Sequence, residues 1–474
     1  MPSAKQAVRR SCQTKLLVLS MALLLAGCAG SLPYKMPTLD IPALWKSNPA
    51  AVAAAQPTDP AQWWKTLGDP VLDQLIESAL QNSPDLRLAA AKVREARAQK
   101  GVSDANLWPS LNATANASRS KNSKETGSGA TGNQFSAGLD ASWELDLFGG
   151  LRSAAEASDA SLQASIESLR DTRVTLLAET AQGYIDYRGL QARLQVARDN
   201  LKSQEETLAI TRWRQQAGLV TELDVAQAST SVEQARAAIP ALEKSLESTR
   251  NSLAVLAGLT PTRLAALLEK AGSIPQTPAS LAIGIPADTL RQRPDVRAAE
   301  QQLFAKAALV KKAEAARYPS LTLSGSIGLE ALRAGRLFSA DAMAGSIAAG
   351  LTAPIFDAGR IRQNIAIQTA QQEQVLATYE KTVLQALADV ENALVALNKT
   401  RERETSLQAA DTSANEALAL ARARYQAGLI DFLPLLEAQR TQLSADDSRL
   451  SAAADRAKAL VQLYKALGGG WTPG

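Results

Sequence analysis

The chain repeats itself at a fixed distance. "RQQAGLVTELDVAQAS" begins at Arg214 and "RYQAGLIDFLPLLEAQR" at Arg424, so Gly428 follows Gly218 by 210 positions. Three further pairs keep that offset. Pro84 and Pro294 open "PDLRLAAA" and "PDVRAAEQ"; Pro109 and Pro319 sit in "WPSLNA" and "YPSLTL"; Gly258 and Gly468 sit in "LAVLAGL" and "LYKALGG". Landmarks at one spacing mark a tandem duplication, so the fold must be one plan executed twice. The two copies are expected over residues 71–260 and 287–470. Between them lies a linker over 261–286, where "AGSIPQTPASLAIGIP" is rich in proline.

Within each copy the apolar period changes. An alanine-rich helical stretch runs from Pro84 to Trp108 and again from Pro294 to Tyr318, each opened by a proline and closed by the next one. Period two follows. Phe135, Ala137, Leu139, Ala141, Trp143, Leu145 and Leu147 alternate with Ser136, Gly138, Asp140, Ser142, Glu144 and Asp146. "LTLSGSIGL" and "MAGSIAAGLTAPI" repeat the pattern, and "LNATANAS" repeats it faintly. Four strands are expected, about 110–118, 134–147, 319–329 and 343–355, paired as two hairpins around polar loops. An ordinary half-buried sheet alternates in this way. Strands long enough to cross an outer membrane, with no charge on the apolar face, are the mark of a membrane barrel.

After each hairpin the sequence reads as a long helix, from about Arg152 to Arg214 and from Arg360 to about Arg424. Neither stretch contains proline, and Gly183 and Gly189 are the only glycines. At 1.5 Å per residue each spans roughly 95 Å. Val383, Leu387, Val390, Leu394 and Leu397 alternate four and three, and Leu194, Leu201 and Leu208 recur every seven, as in coiled coils. The charges of "KTRERET" read as a solvated helix face. "QAGL" then breaks each helix, and a further one is expected over about 221–256 and 432–467, with Pro240 bending the first. The shorter helices of each copy, stacked end to end, match the long one in length and are expected beside it.

These elements set the assembly. Four strands cannot close a transmembrane barrel, whose minimum is about eight, and an open edge in lipid leaves backbone groups unpaired. Several copies must therefore pool their strands. Geometry allows a dimer or a trimer.

The N-terminus points to the same compartment. Lys5, Arg9, Arg10 and Lys15 precede an apolar run from Leu16 to Ala26, too short to span a bilayer but suited to a signal peptide. The run ends in "LAGC", which resembles the bacterial lipobox. That resemblance implies a signal peptide over 1–27, cleavage before Cys28, and acylation of Cys28 as a lipid anchor, followed by an extended segment over 28–70. Ala29 in the next position resembles the outer-membrane sorting signal. The formal charge of +4 leaves with the signal, so the mature chain is neutral and a nucleic-acid partner is excluded on charge. One cysteine remains and there is no histidine, so an internal disulfide, a soft metal site and histidine catalysis are excluded. No cofactor is expected beyond the covalent lipid at Cys28.

"WWKTLGDPVLDQLIESAL", "NSPDLRLAAAKVREARA", "WELDLFGGLR" against "PIFDAGRIR", and the paired "AGL" turns resemble the TolC superfamily. More narrowly they resemble the lipoprotein OprM/NodT branch of outer-membrane factors in resistance–nodulation–division efflux systems. The likeness runs over nearly all of the mature chain. It implies a mainly α fold with a membrane β-barrel portion, assembled as a homotrimer. Three copies would form a twelve-stranded β-barrel in the outer membrane, a periplasmic α-helical barrel, and a belt built partly from the termini. It implies a periplasmic adaptor (a membrane fusion protein) and an inner-membrane pump as partners, besides outer-membrane lipid.

The same resemblance gives the glycine turns a place and a role. Each copy reverses once at the periplasmic tip, where Gly218, Leu219 and Val220, and Gly428, Leu429 and Ile430, would meet the adaptor. Asp224 and Tyr425 fall where the superfamily places a gate-holding Asp–Tyr link. Asp431 resembles the acidic ring position of the narrower branch. Pro434 stands where the superfamily carries an aspartate, which removes one constriction ring, and Glu437 is the substitute position. The implied activity is that of a passive export duct for drugs or other small solutes, not an enzyme. A type I secretion duct and a non-conducting structural lipoprotein are the alternatives. An enzyme built on the acidic pair Asp446 and Asp447 is a remote one, since that pair reads as solvated surface.

Overall fold

The computed structural model describes residues 41–42, 45–46, 60–269, 272–278 and 293–471. The signal segment 1–27 and Cys28 lie outside the described residues, as do most of the segment 28–59 and much of the linker. The described chain divides into two compact units. The first takes residues 93–165 and 299–379; the second takes the rest.

The elements, in order, are a short 3-10 segment Pro60–Leu67, α1 Pro70–Asn82, α2 Pro84–Ala105, β1 Ser110–Lys121, β2 Thr131–Leu145, α3 Gly150–Gln216, α4 Glu222–Leu256, α5 Pro261–Leu268, α6 Pro294–Ala315, β3 Ser320–Ala331, β4 Met343–Thr352, α7 Arg360–Gln426 and α8 Phe432–Ala466. Both ends of α6, α7 and α8 fall 210 positions after those of α2, α3 and α4. Gly149, Gly218 and Gly258 take positive φ, as do Gly359, Gly428 and Gly468. The duplication is thus preserved to the residue in the backbone.

The first unit is built on one antiparallel sheet in the order β1-β2-β3-β4. Both expected hairpins are present, and β2 also pairs with β3, which joins the two copies into one surface. The register carries the apolar face across all four strands. Leu111 lies opposite Ala141, Leu139 opposite Ile327, Trp143 opposite Leu323, and Leu321 opposite Leu351. On this face Leu111, Ile327, Ile347 and Leu351 are exposed. The other face is polar and internally bonded. Thr114 Oγ1 donates to Asp140 Oδ2 at 2.8 Å, and the hydroxyls of Ser326 and Ser346 lie 2.8 Å apart. Gly138 and Gly328 are register partners on it. A Cβ on Gly328 would sit 2.7 Å from the Ala137 carbonyl oxygen, so the close approach of the two copies needs glycine.

The strand limits differ from the expected ones for local reasons. Arg119–Lys121 pair with Asn133–Thr131, which lengthens the first hairpin at the expense of its loop. β4 stops at Thr352, two residues before Pro354, which has no amide hydrogen to give. β2 stops at Leu145, where the Leu147 amide turns back onto the Leu145 carbonyl at 2.9 Å. Around the strand ends, Trp143 Nε1 donates to the Leu107 carbonyl at 2.9 Å, and Phe148 stacks on Tyr318. Lys100 pairs with Asp159 at 2.9 Å, holding α2 against α3.

The second unit is helical, and the coiled-coil positions read from the sequence point inward. Val383, Val390 and Leu394 are buried, as are Leu194 and Leu208. Its largest core joins the 3-10 segment and α1 to the middle of α3, the end of α4, α5 and the end of α8, through Trp63, Leu72, Leu75, Leu177, Tyr184, Leu253 and Leu460. Trp63 stacks on Tyr464 at 5.1 Å, and Arg170 and Arg297 both lie over the Trp471 ring, so the described N- and C-terminal segments share one aromatic layer. α4 runs through Pro240 as a single helix.

Charges expected to be solvated reach between helices instead. In "KTRERET", Arg403 pairs with Asp455 at 3.1 Å and Glu404 with Arg456 at 2.7 Å. Asp447 pairs with Arg193 at 2.5 Å, and Asp446 bonds Gln442 and faces Arg449. Burial, with Asp411 beside it, raises the pKa of Asp446. These acids tie α8 to its neighbours, which the sequence pattern alone does not reveal.

Each of the four helix ends at Gly218, Gly258, Gly428 and Gly468 closes in the same way. The glycine amide bonds three residues back, and the next amide bonds five back, as Leu219 to the Arg214 carbonyl at 2.8 Å. The four are not equally tolerant. A Cβ on Gly218 would meet nothing within 4 Å, whereas one on Gly258 would overlap the Asn82 carbonyl. Gly218→Ala is therefore expected to cost only the left-handed backbone penalty of about 1 kcal/mol. Gly258→Ala should cost clearly more, read as a larger fall in the thermal midpoint of the helical circular dichroism signal.

Near the end of α8, Arg293 bonds Asp295 at 2.6 Å, Asp389 at 3.2 Å and the Ala466 carbonyl at 2.9 Å. Burial, and after it the charge of Asp295, raises the pKa of nearby Asp171. A carboxyl raised in the folded state favours folding below its unfolded pKa and opposes it once ionised. Asp171→Asn should then raise the unfolding temperature at neutral pH. The gain should shrink as pH falls through the carboxylate range, measured by thermal melts across that range.

Candidate functional site

The tip of the second unit is formed by two helical hairpins, α3 to α4 around Gly218 and α7 to α8 around Gly428. Gly218 has φ 74° and Gly428 φ 75°. Beside them Leu219 and Leu429 are exposed, at 67% and 73%. Val220 is half-buried. Ile430 packs against the core beneath the tip, so it is less available than Leu429.

That core is small and drawn from both copies. Tyr425, Phe432, Leu435 and Leu436 pack with Leu208, Ala228 and Val232. The positions 210 residues earlier hold Gln215, Glu222, Val225 and Ala226. The backbone plan is duplicated here, but the chemistry is not. The two hairpins share this core, and Arg214 of the first reaches onto Tyr425 of the second.

Tyr425 is 1% exposed. Its hydroxyl lies 3.0 Å from Thr211 Oγ1, and its ring meets Phe432 edge-on at 6.2 Å. The Arg214 guanidinium caps the other side of the ring at 4.6 Å and donates to the Tyr425 carbonyl at 2.8 Å. Below, buried Gln439 donates to Thr207 Oγ1 at 2.9 Å. Thr207, Thr211 and Arg214 recur every three or four residues along α3 and so form one stripe facing the second hairpin. The sequence reading missed this stripe. Its one signal is Arg214 itself, which repeats as Arg424 two residues before the start of each "QAGL" phrase.

Asp224 has a different occupation. Its Oδ2 accepts from the Thr221 amide at 2.8 Å and from Thr221 Oγ1 at 2.7 Å, while its own amide donates to Thr221 Oγ1 at 3.3 Å. This is a capping box, with an aspartate in place of the more common glutamate. It fixes the entry of α4 directly after the turn. Among the described residues no hydrogen bond joins Asp224 to Tyr425. Asp224 fastens the turn of its own hairpin, whereas Tyr425 fastens the second hairpin to the first.

Asp431 stands at the start of α8 with an exposed side chain that does not cap the helix, unlike Thr221 at the start of α4. It therefore keeps its carboxylate facing solvent at the mouth of the second hairpin. Glu437, two turns on, is exposed and lies 3.8 Å from Arg440. Pro434 occupies the first turn of α8, where a missing amide hydrogen costs nothing.

No single helix among the described residues is long and apolar enough to cross a membrane. The apolar face of β1–β4 is the extended exposed surface of the right kind, while the opposite face is hydroxyl-rich.

The comparisons agree with this division of labour. The "Outer membrane efflux protein" family profile matches residues 75–259 and again 285–469. The pyoverdine export outer membrane protein OpmQ of Pseudomonas aeruginosa is 38% identical over 466 residues, covering 96% of this chain and 97% of the relative. The outer-membrane channel OprN superposes with a TM-score of 0.89 at 34% identity, covering 94% of this chain and 100% of that one. The Neisseria gonorrhoeae outer membrane channel MtrE, solved in an open state, superposes with a TM-score of 0.79 at 30% identity over 94% of this chain and 98% of that one. With both of its copies matched, a membrane-suited sheet and a helical portion ending in paired glycine turns, this chain belongs to the outer membrane efflux protein family and is an efflux channel protein of the Gram-negative outer membrane.

Proposed function

We propose that three copies of this chain form one continuous duct, a passive exit for small solutes. One observation carries this reading. The sheet presents an apolar face across four strands, while among the described residues no strand lies beside the outer edges of β1 and β4. Backbone groups on those edges have no water to bond in hydrocarbon, so β1 of one copy must pair with β4 of the next. Three copies give twelve strands, with the hydroxyl-rich face turned into a water-filled lumen. Cys28 would add a lipid anchor to each copy.

The exposed leucines Leu219 and Leu429, with Gly218, Val220, Gly428 and Ile430 around them, are the surface that would receive a periplasmic adaptor. A proton-driven inner-membrane pump would supply the energy through that adaptor. Asp224 and Tyr425 would keep the two hairpins in their resting arrangement, each through its own contacts. Asp431 would line the throat, where three carboxylates in a narrow ring draw cations in and turn anions away. Opening then amounts to a population shift of the hairpins driven by partner contacts, in keeping with the open state of the relative MtrE. The pyoverdine exporter among the relatives makes a small secreted chelator one candidate cargo, and a drug another.

The purified protein in mild detergent should have the mass of a trimer by light scattering and should conduct in planar bilayers. A stable monomer, or a trimer without conductance, overturns the duct. Within a conducting channel, Asp431→Asn should weaken cation preference, seen as a shift of reversal potential in a salt gradient. Tyr425→Phe removes one buried hydrogen bond, worth about 0.5–1.5 kcal/mol, and should raise basal conductance. Unchanged current and selectivity in both variants would remove these residues from the gate.

A further inference from the structure

The apolar face of β1 does not end where the apolar residues end. Side chains two apart share a face of a strand, so Leu111, Ala113, Ala115 and Ala117 are followed on the same face by Arg119 and Lys121. The register fixes their height. Ala117 lies opposite Phe135, Arg119 opposite Asn133, and Lys121 opposite Thr131. On β2 the same face carries Phe135 toward one end and Trp143 toward the other, with Leu145 one pair beyond Trp143. At roughly 3.4 Å per residue these aromatics lie about 27 Å apart along the strand, or roughly 20 Å in height at a tilt of about 40°. That is close to the apolar band of an outer-membrane barrel, about 25 Å tall and bordered by aromatic girdles. Arg119 therefore stands one residue pair beyond the Phe135 girdle, where hydrocarbon gives way to headgroups.

This is also the outward end. All four connections from strands to helices leave from the opposite end, at Ser110, Leu145, Ser320 and Thr352. Both hairpin loops lie beyond the Arg119 end, carrying Lys124 in one and Arg333 and Arg336 in the other. The carboxylates at this level are fewer. Glu125 and Asp341 are in the loops, and Glu330 lies on the polar face opposite Ser136. Arg119 and Lys121 are exposed, and no ion pair among the described residues involves either. A cation placed on a lipid-facing surface is unfavourable unless its stem runs along the apolar face and its head reaches a polar layer. Two such residues at the hydrocarbon border, without carboxylate partners, suit an anionic headgroup better than water alone.

We propose that Arg119 and Lys121, supported by Lys124, Arg333 and Arg336, form a binding site for the phosphate groups of outer-leaflet lipids. In the assembled channel the site would recur three times around the barrel. Lipid would act there as a bound ligand that fixes the depth of the barrel, beyond being its solvent. The proposal rests on the barrel reading above, which assigns the apolar face to lipid.

The test uses the purified full-length channel in neutral detergent, titrated with phosphatidic acid or with phosphatidylcholine of the same acyl chains. Bound lipids are counted by native mass spectrometry. Phosphatidic acid should be retained in preference, and Arg119→Gln with Lys121→Gln should reduce that preference roughly 25-fold, since each basic group near an anionic surface strengthens association about fivefold. Equal retention of the two lipids by the unaltered channel overturns the proposal, whether or not the variant assembles. A preference that survives in the double variant does so as well. Complete displacement of phosphatidic acid by millimolar inorganic phosphate would assign the site to a free anion and overturn the lipid assignment. Bilayer conductance keeps the two readings apart. The double variant should conduct normally, whereas a silent unaltered channel would count against the duct itself.

Discussion

Every residue of a strand brings a donor and an acceptor, and hydrocarbon satisfies neither. That constraint organises the whole molecule. A chain whose apolar strand face is exposed over four strands, with an open edge at either end, is stable in lipid only when those edges are paired. The β2–β3 pairing settles part of the problem inside the chain, because it joins the two copies through the close contact of Gly138 and Gly328. The remaining edges pass the problem to other copies. Assembly is a condition for the sheet to exist where it does.

The helical unit follows another logic. Duplication supplied a common frame, visible in helices whose ends correspond residue for residue and in glycines with matching positive φ. Side chains then diverged within that frame. The second copy places Tyr425 and Phe432 where the first has Gln215 and Glu222, and Arg214 of the first caps the Tyr425 ring of the second. Two hairpins of the same backbone thereby meet through unlike side chains.

Charged residues along the long helices show why surface patterns mislead. Arg403, Glu404, Arg193 and Asp447 all bond across helices. Most of these pairs are partly exposed, and such pairs contribute little stability, about 0–1 kcal/mol each. Their value lies in selecting which helix lies against which and in what register. Nothing local distinguishes a glutamate that faces water from one that faces an arginine fifty residues away. The candidate site was legible to the same extent. Gly218 and Gly428 stand out because a helix interrupted twice at one phrase requires a left-handed residue, and Leu219 and Leu429 stand out as apolar residues beside that break. Thr211, Thr207 and Gln439 do not, since a threonine on a long helix looks the same whether it meets solvent or a tyrosine hydroxyl.

The sequence by itself determined the duplication, the succession of helix and strand, the coiled-coil seams, the apolar face of the sheet and the need for several copies. These follow from periodicity and from backbone chemistry, which act over a few residues and leave a regular trace. Only the tertiary structure decided that Tyr425 is buried against Thr211 and Arg214, that Asp224 caps its own helix while Asp431 remains free of such a role, and that Arg119 and Lys121 continue the apolar face past its aromatic border. The physical reason is reach. Those outcomes depend on partners brought close by packing and register, and a side chain's partner far along the chain leaves no mark in its immediate neighbours.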